Sequence, residues 1–126
     1  MMGDIELELA PTPDAAREAR RSIEEHLGDA VPAATLQDLL VVVTELVTNS
    51  VKYGPDGTIV VRLSVSPAGL VRGEVRDQGA AGARPAIRDS PSLVGGLGLR
   101  IVDALTERWA VDSEPSTRVS FEVSFP

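Results

Sequence analysis

The chain has 126 residues, of which 43% are hydrophobic and 25% charged, enough to bury one core without staples and too apolar for a disordered or collagen-like class. With no cysteine and a single histidine, His26, it excludes disulfides, thiolate metal sites and multi-histidine centres. Twelve Lys and Arg stand against 19 Asp and Glu, and the basic residues are scattered, which excludes nucleic acid as the expected partner.

The start, Met1-Met2-Gly3-Asp4-Ile5-Glu6, is acidic and no apolar run approaches the length of a membrane span, so the expectation is one cytoplasmic domain without a signal peptide or anchor. Residues 5–9 alternate apolar and acidic side chains, the period of a half-buried strand. Thr12-Pro13-Asp14 then predicts a helix with Thr12 as N-cap and Pro13 in the first position, running to Leu27 before Gly28. A second helix is expected from Ala33 to Lys52 or Tyr53, ended by Gly54-Pro55.

Residues 58–66 and 70–76 read as antiparallel strands joined by the turn Pro67-Ala68-Gly69. From 78 to 95 the chain is rich in Gly, Ala, Pro and Ser, which predicts a mobile loop, long for so small a domain and therefore a candidate lid. A short helix over 98–105 and strands at 109–112 and 118–125 complete the chain, the last placing Val119, Phe121, Val123 and Phe125 on one face. The expected fold is a two-layer α/β (α+β) sandwich: a mixed, mostly antiparallel sheet with three helices on one face.

Chemistry concentrates in three segments. On the second helix, Leu36, Leu39, Leu40, Val43, Leu46, Val47 and Ser50 fall on one side, and Asp38, Glu45, Asn49 and Lys52 on roughly the other. A solvated polar face on a core-packed helix would show the same spacing. Asp77-x-Gly79 puts a carboxylate at a strand end beside a glycine that lets backbone approach a flat ligand, and a carboxylate accepts from an exocyclic amine such as adenine presents. Taken alone, Asp-x-Gly is more simply an ordinary turn than a site. Gly95-Gly96-Leu97-Gly98-Leu99 opens a short apolar helix, where bare backbone N–H groups can cradle an anion or simply form a loop. No Walker-type phosphate loop, dinucleotide fingerprint or eukaryotic kinase motif set occurs.

In this order, Glu45-x-x-x-Asn49, Asp77-x-Gly79 and Gly96-Leu97-Gly98-Leu99 resemble the N, G1 and G2 boxes of the GHKL (histidine-kinase-like) ATPase superfamily. The local form Thr-Glu-Leu-Val-Thr-Asn-Ser-Val over 44–51, without sensor or dimerisation segments, is similar to the anti-sigma-factor serine/threonine kinase group. The resemblance covers nearly the whole chain and implies a Bergerat-type ATP-binding fold. It implies ATP and Mg²⁺ as cofactors, with Asn49 on the metal, Asp77 on the adenine amine and Glu45 as general base. Lys52, Tyr53, Gly79, Gly95, Gly96, Leu97, Gly98, Leu99 and Thr117 complete the implied nucleotide-binding set.

The chain departs from the family pattern in three places. Ala80-Ala81-Gly82 follows Gly79 where a further glycine is common, Tyr53 holds a position usually basic, and Pro115-Ser116-Thr117-Arg118 lacks the glycine of the closing segment. The resemblance implies a protein kinase that binds a sigma factor and phosphorylates an anti-sigma antagonist, and it suggests a homodimer. Two other readings stay open: a non-catalytic ATP-dependent binding module, and a histidine-kinase ATPase domain serving a separate phosphoacceptor. His26 reads as a partner for a helix C-terminus and Trp109 as a core or strand-face aromatic.

Overall fold

The computed structural model describes residues 3–53, 57–77, 100–112 and 117–126. In chain order the elements are β1 (Gly3–Leu9), α1 (Ala15–Leu27), α2 (Ala33–Tyr53), β2 (Ile59–Ser66), β3 (Leu70–Arg76), a helical segment α3 (residues 100–105), β4 (Arg108–Asp112) and β5 (Arg118–Ser124). The strands form one sheet in the order β1-β2-β3-β5-β4.

All four pairings are antiparallel, so among the described residues the sheet is purely antiparallel and not mixed. The reason lies in how the chain returns after β3. The long connection containing α3 brings β4 back in the same direction as β3, and β5 then inserts between them, so the two co-directional strands never pair. Gly69 in the β2–β3 turn has φ +87, a backbone region that side chains rarely adopt, and its carbonyl accepts from the Phe125 N–H at 2.8 Å.

Period-two alternation divides the sheet into a helix-covered face and an open one. Ile5, Leu63, Gly73, Phe121 and Trp109 stand in one row across all five strands on the covered face. The Phe121 ring lies over Gly73, where a Cβ would also come within 2.6 Å of Leu63 Cδ2, so only glycine leaves room for the aromatic. The outward face carries cross-strand ion pairs: Glu6 pairs with Arg62 at 3.0 Å, and Glu122 receives Arg72 at 3.4 Å and Arg108 at 3.7 Å.

α1 buries Ala15, Ala19, Ile23 and Leu27, a single stripe at four-residue spacing. Its start corrects the sequence expectation: Asp14, not Thr12, is the N-cap, and Pro13 lies outside the helix. Thr12 instead closes a turn, its hydroxyl accepting from the Asp14 N–H at 3.3 Å and its carbonyl from the Ala15 N–H at 3.0 Å. The Asp14 carboxylate turns to Arg17 at 2.7 Å rather than to the helix N–H groups. His26, in the last turn, sets Nδ1 2.8 Å from the Ser22 carbonyl, as a donor to it.

α2 buries Leu39, Leu40, Val43, Leu46 and Val47 as its spacing predicts, with Leu36 partly covered. Val42, outside that stripe, is also fully buried. The helix packs on α1 as well as on β2, β3 and β5, so it has two covered sides where a surface helix has one.

Candidate functional site

β3 delivers Asp77 as the first residue past its last pairing, where extension of the strand would carry the side chain toward the helices. There Asp77 is 6% exposed, one of two buried polar residues in the described chain along with Thr35. Its backbone N–H donates to the Thr117 carbonyl at 2.9 Å, one step beyond the last β3–β5 pair, Arg76 with Arg118. Two positions 40 residues apart in sequence, Asp77 and Thr117, thus meet at one end of the two central strands. A buried carboxylate retained at a strand end requires polar partners, which is the setting in which it can select an amine-bearing ring.

Glu45 and Asn49 lie on α2, four residues apart and therefore neighbours on one side of the helix. Both are half-buried, so the core has not claimed them. Lys52, three residues past Asn49, is exposed, and Tyr53 is the last residue of the helix. Thr44, next to Glu45, holds its Oγ1 out of water without a hydrogen bond among the described residues.

Gly79, Gly95, Gly96, Leu97, Gly98 and Leu99 lie outside the described residues, as does the expected lid over 78–95. Immediately after them, α3 is fixed to the body of the protein. Val102 is fully buried in the core, Thr106 Oγ1 donates to the Val102 carbonyl at 2.8 Å, and Trp109 Nε1 on β4 donates to Asp103 Oδ1 at 2.7 Å. Sequence reading gave Asp103 no role and Trp109 only an apolar one. Their spacing of six residues across a helix-to-strand corner was the available signal.

Among the described residues no group of three or more His, Asp or Glu side chains stands where it could hold a metal ion. Among the described residues no helix is long and apolar enough to cross a membrane.

Residues 9–122 match the family model described as a histidine kinase-like ATPase domain. No curated protein matches the chain significantly. Among solved structures, the RsbU and RsbW domains of Rv1364c from Mycobacterium tuberculosis align with a TM-score of 0.76 at 23% identity, over 96% of this chain and 31% of that one. The blue-light activated histidine kinase EL346 of Erythrobacter litoralis aligns with a TM-score of 0.60 at 22% identity, over 75% of this chain and 32% of its own. Its separate histidine kinase domain aligns with a TM-score of 0.58 at 17% identity, over 87% and 59%. The chain spans about a third of the length of the first two.

Proposed function

Since the chain belongs to the histidine kinase-like ATPase domain family, we propose that this ATP-binding domain acts as an anti-sigma regulator, a serine/threonine protein kinase that modifies an anti-sigma antagonist. The observation that carries the nucleotide part is Asp77: a buried carboxylate placed at the end of a central strand beside Thr117. The likeness to a fold that includes an RsbW domain, together with the motif form around Glu45 and Asn49, supports the anti-sigma part.

The residues present suit Mg·ATP in their donor chemistry. Magnesium takes oxygen ligands and keeps several waters, so the single amide oxygen of Asn49 with phosphate oxygens would suffice without a protein cage. When bound, Mg·ATP supplies the transferable phosphoryl group and the charge neutralisation that its transfer needs. Asp77 accepts a hydrogen bond from the adenine amine and so fixes which base enters. Glu45, half-exposed one turn before Asn49, receives the proton of an attacking serine or threonine hydroxyl. Lys52 offers a cation to the phosphates, while Gly79, the 95–99 segment and Thr117 complete the cradle and base pocket. A sigma factor and its antagonist are the partners this reading requires, and the cytoplasm is where they would meet it.

Calorimetry with Mg·ATP, followed by transfer of labelled phosphate to protein serine or threonine, tests both halves. Binding with transfer is expected. Binding without transfer to any partner protein leaves a nucleotide-dependent binding module, and absence of binding removes the proposal entirely.

A further inference from the structure

α3 spans residues 100–105, under two turns, and the cost of nucleating a helix is not recovered over so short a run. Its shape and place are therefore set by what it touches. Two apolar side chains hold it from the core side: Val102 is fully buried, and Leu105, three positions on, packs against the same core. Anchors on one line of a helix fix its distance from the core and leave it free to roll about that line.

Polar contacts remove that freedom. Trp109 Nε1 donates to Asp103 Oδ1 at 2.7 Å, a short bond to a charged acceptor, and Asp103 lies one residue, about 100°, round the helix from Val102. Asp103 is exposed, so what it contributes is this bond and not burial. Trp109 stands on β4 opposite Phe121 of β5, whose ring is buried over Gly73, so the donor is carried by the sheet and not by a loop. Thr106 Oγ1 donates to the Val102 carbonyl at 2.8 Å and closes the last turn of α3. The Glu107 N–H donates to the Glu122 carbonyl at 2.7 Å and the Ser124 hydroxyl to Glu107 Oε1 at 2.6 Å, which pins the corner between α3 and β4.

α3 begins at Arg100, and the residues joined to it are Gly95-Gly96-Leu97-Gly98-Leu99, the segment that the proposed function sets against the phosphates. A roll of α3 displaces the point from which that segment springs. We propose that Asp103 is a positioning residue for nucleotide binding: its bond to Trp109 fixes the roll of α3 and so the origin of the phosphate-binding segment. The inference rests on the Mg·ATP reading of the site and adds to it two residues that act through α3 rather than on the nucleotide. The sign of the effect separates this role from a direct one. A carboxylate near a triphosphate repels it, so deleting Asp103 would tighten ATP if its charge acted through space. Acting through Trp109, the same deletion weakens ATP. A general loss of structure lowers the affinity of every ligand together, whereas a displaced phosphate segment lowers only that of ligands with phosphates.

Calorimetry with Mg·ATP and with adenosine, on the parent and on Asp103→Ala, Asp103→Asn and Trp109→Phe, reads these cases apart. Asp103→Ala and Trp109→Phe should each weaken Mg·ATP about three- to tenfold and leave adenosine within about twofold of the parent. Asp103→Asn, whose amide oxygen still accepts from the indole, should keep most of the ATP affinity. The double variant Asp103→Ala with Trp109→Phe should be no weaker than either single one, because both break the same bond. Unchanged or tighter ATP binding in Asp103→Ala would overturn the proposal, as would an equal loss for ATP and adenosine or additive losses in the double variant. A parent chain that does not bind Mg·ATP removes the proposed function itself and this inference with it, a result read before any variant is made.

Discussion

α1 and α2 lie side by side on the same sheet, yet they treat polar residues differently. α1 buries one apolar stripe, Ala15, Ala19, Ile23 and Leu27, and leaves Arg17, Glu18, Arg20, Arg21, Glu24 and Glu25 in solvent. α2 is covered on two sides and holds Thr44, Glu45, Thr48 and Asn49 at half-burial, neither in the core nor in free water. Half-burial of polar groups carries a desolvation cost, which a ligand bound beside Glu45 and Asn49 would offset. The difference is the one expected if α1 is scaffold alone and α2 also carries the proposed site.

Breaking the site on α2 should have the largest effect and leave the fold intact. Glu45→Ala is expected to reduce phosphate transfer about 10²–10⁴-fold while Mg·ATP binding and unfolding midpoint stay near those of the parent, read by labelled transfer, calorimetry and denaturant melts. Breaking the scaffold helix should do the opposite. Ile23→Ala removes a fully buried side chain and should cost about 2–5 kcal/mol of stability in urea unfolding, with nucleotide affinity unchanged wherever the variant remains folded.

Asp77→Asn sharpens the contrast from the strand side. Loss of a charged acceptor for the adenine amine should weaken ATP by roughly tenfold or more, equivalent to about 1.5–3 kcal/mol, and equal affinities by calorimetry would remove Asp77 from the site. The smallest effect belongs to the solvent side of α1. Arg17→Ala ends an ion pair whose side chains are more than half exposed, and a change above about 0.5 kcal/mol in the same melts would mean that the helix is more than scaffold.

Features set by near neighbours in sequence were legible before the structure. The strand limits at 70–76, the turn at Gly69 and the sides of α2 occupied by Leu39, Val43 and Glu45 all follow from spacing along a few turns or residues. The start of α1 was misplaced because a capping rule is a competition: Asp14 found Arg17, and Thr12 found the turn. Val42 was missed because nothing within α2 announces that α1 covers its second side. The insertion of β5 between β3 and β4 was equally invisible, since strand neighbours are chosen across the whole chain. For the candidate site, motif order singled out Asp77 and Thr117 separately, and only the end of the β3–β5 ladder shows that they meet.

The chain contains a single tryptophan, and its indole N–H is spent on Asp103 of α3. Indole emission responds to the polarity and hydrogen bonding around that nitrogen, so the protein has a built-in optical probe at the seam between α3 and the edge strand. Any event that displaces the segment following the glycine cluster would register as a shift in emission, without a dye and without a second tryptophan to obscure it. Equilibria and rates at this corner can therefore be followed by stopped-flow fluorescence on the unmodified chain, with Trp109→Phe as the dark control.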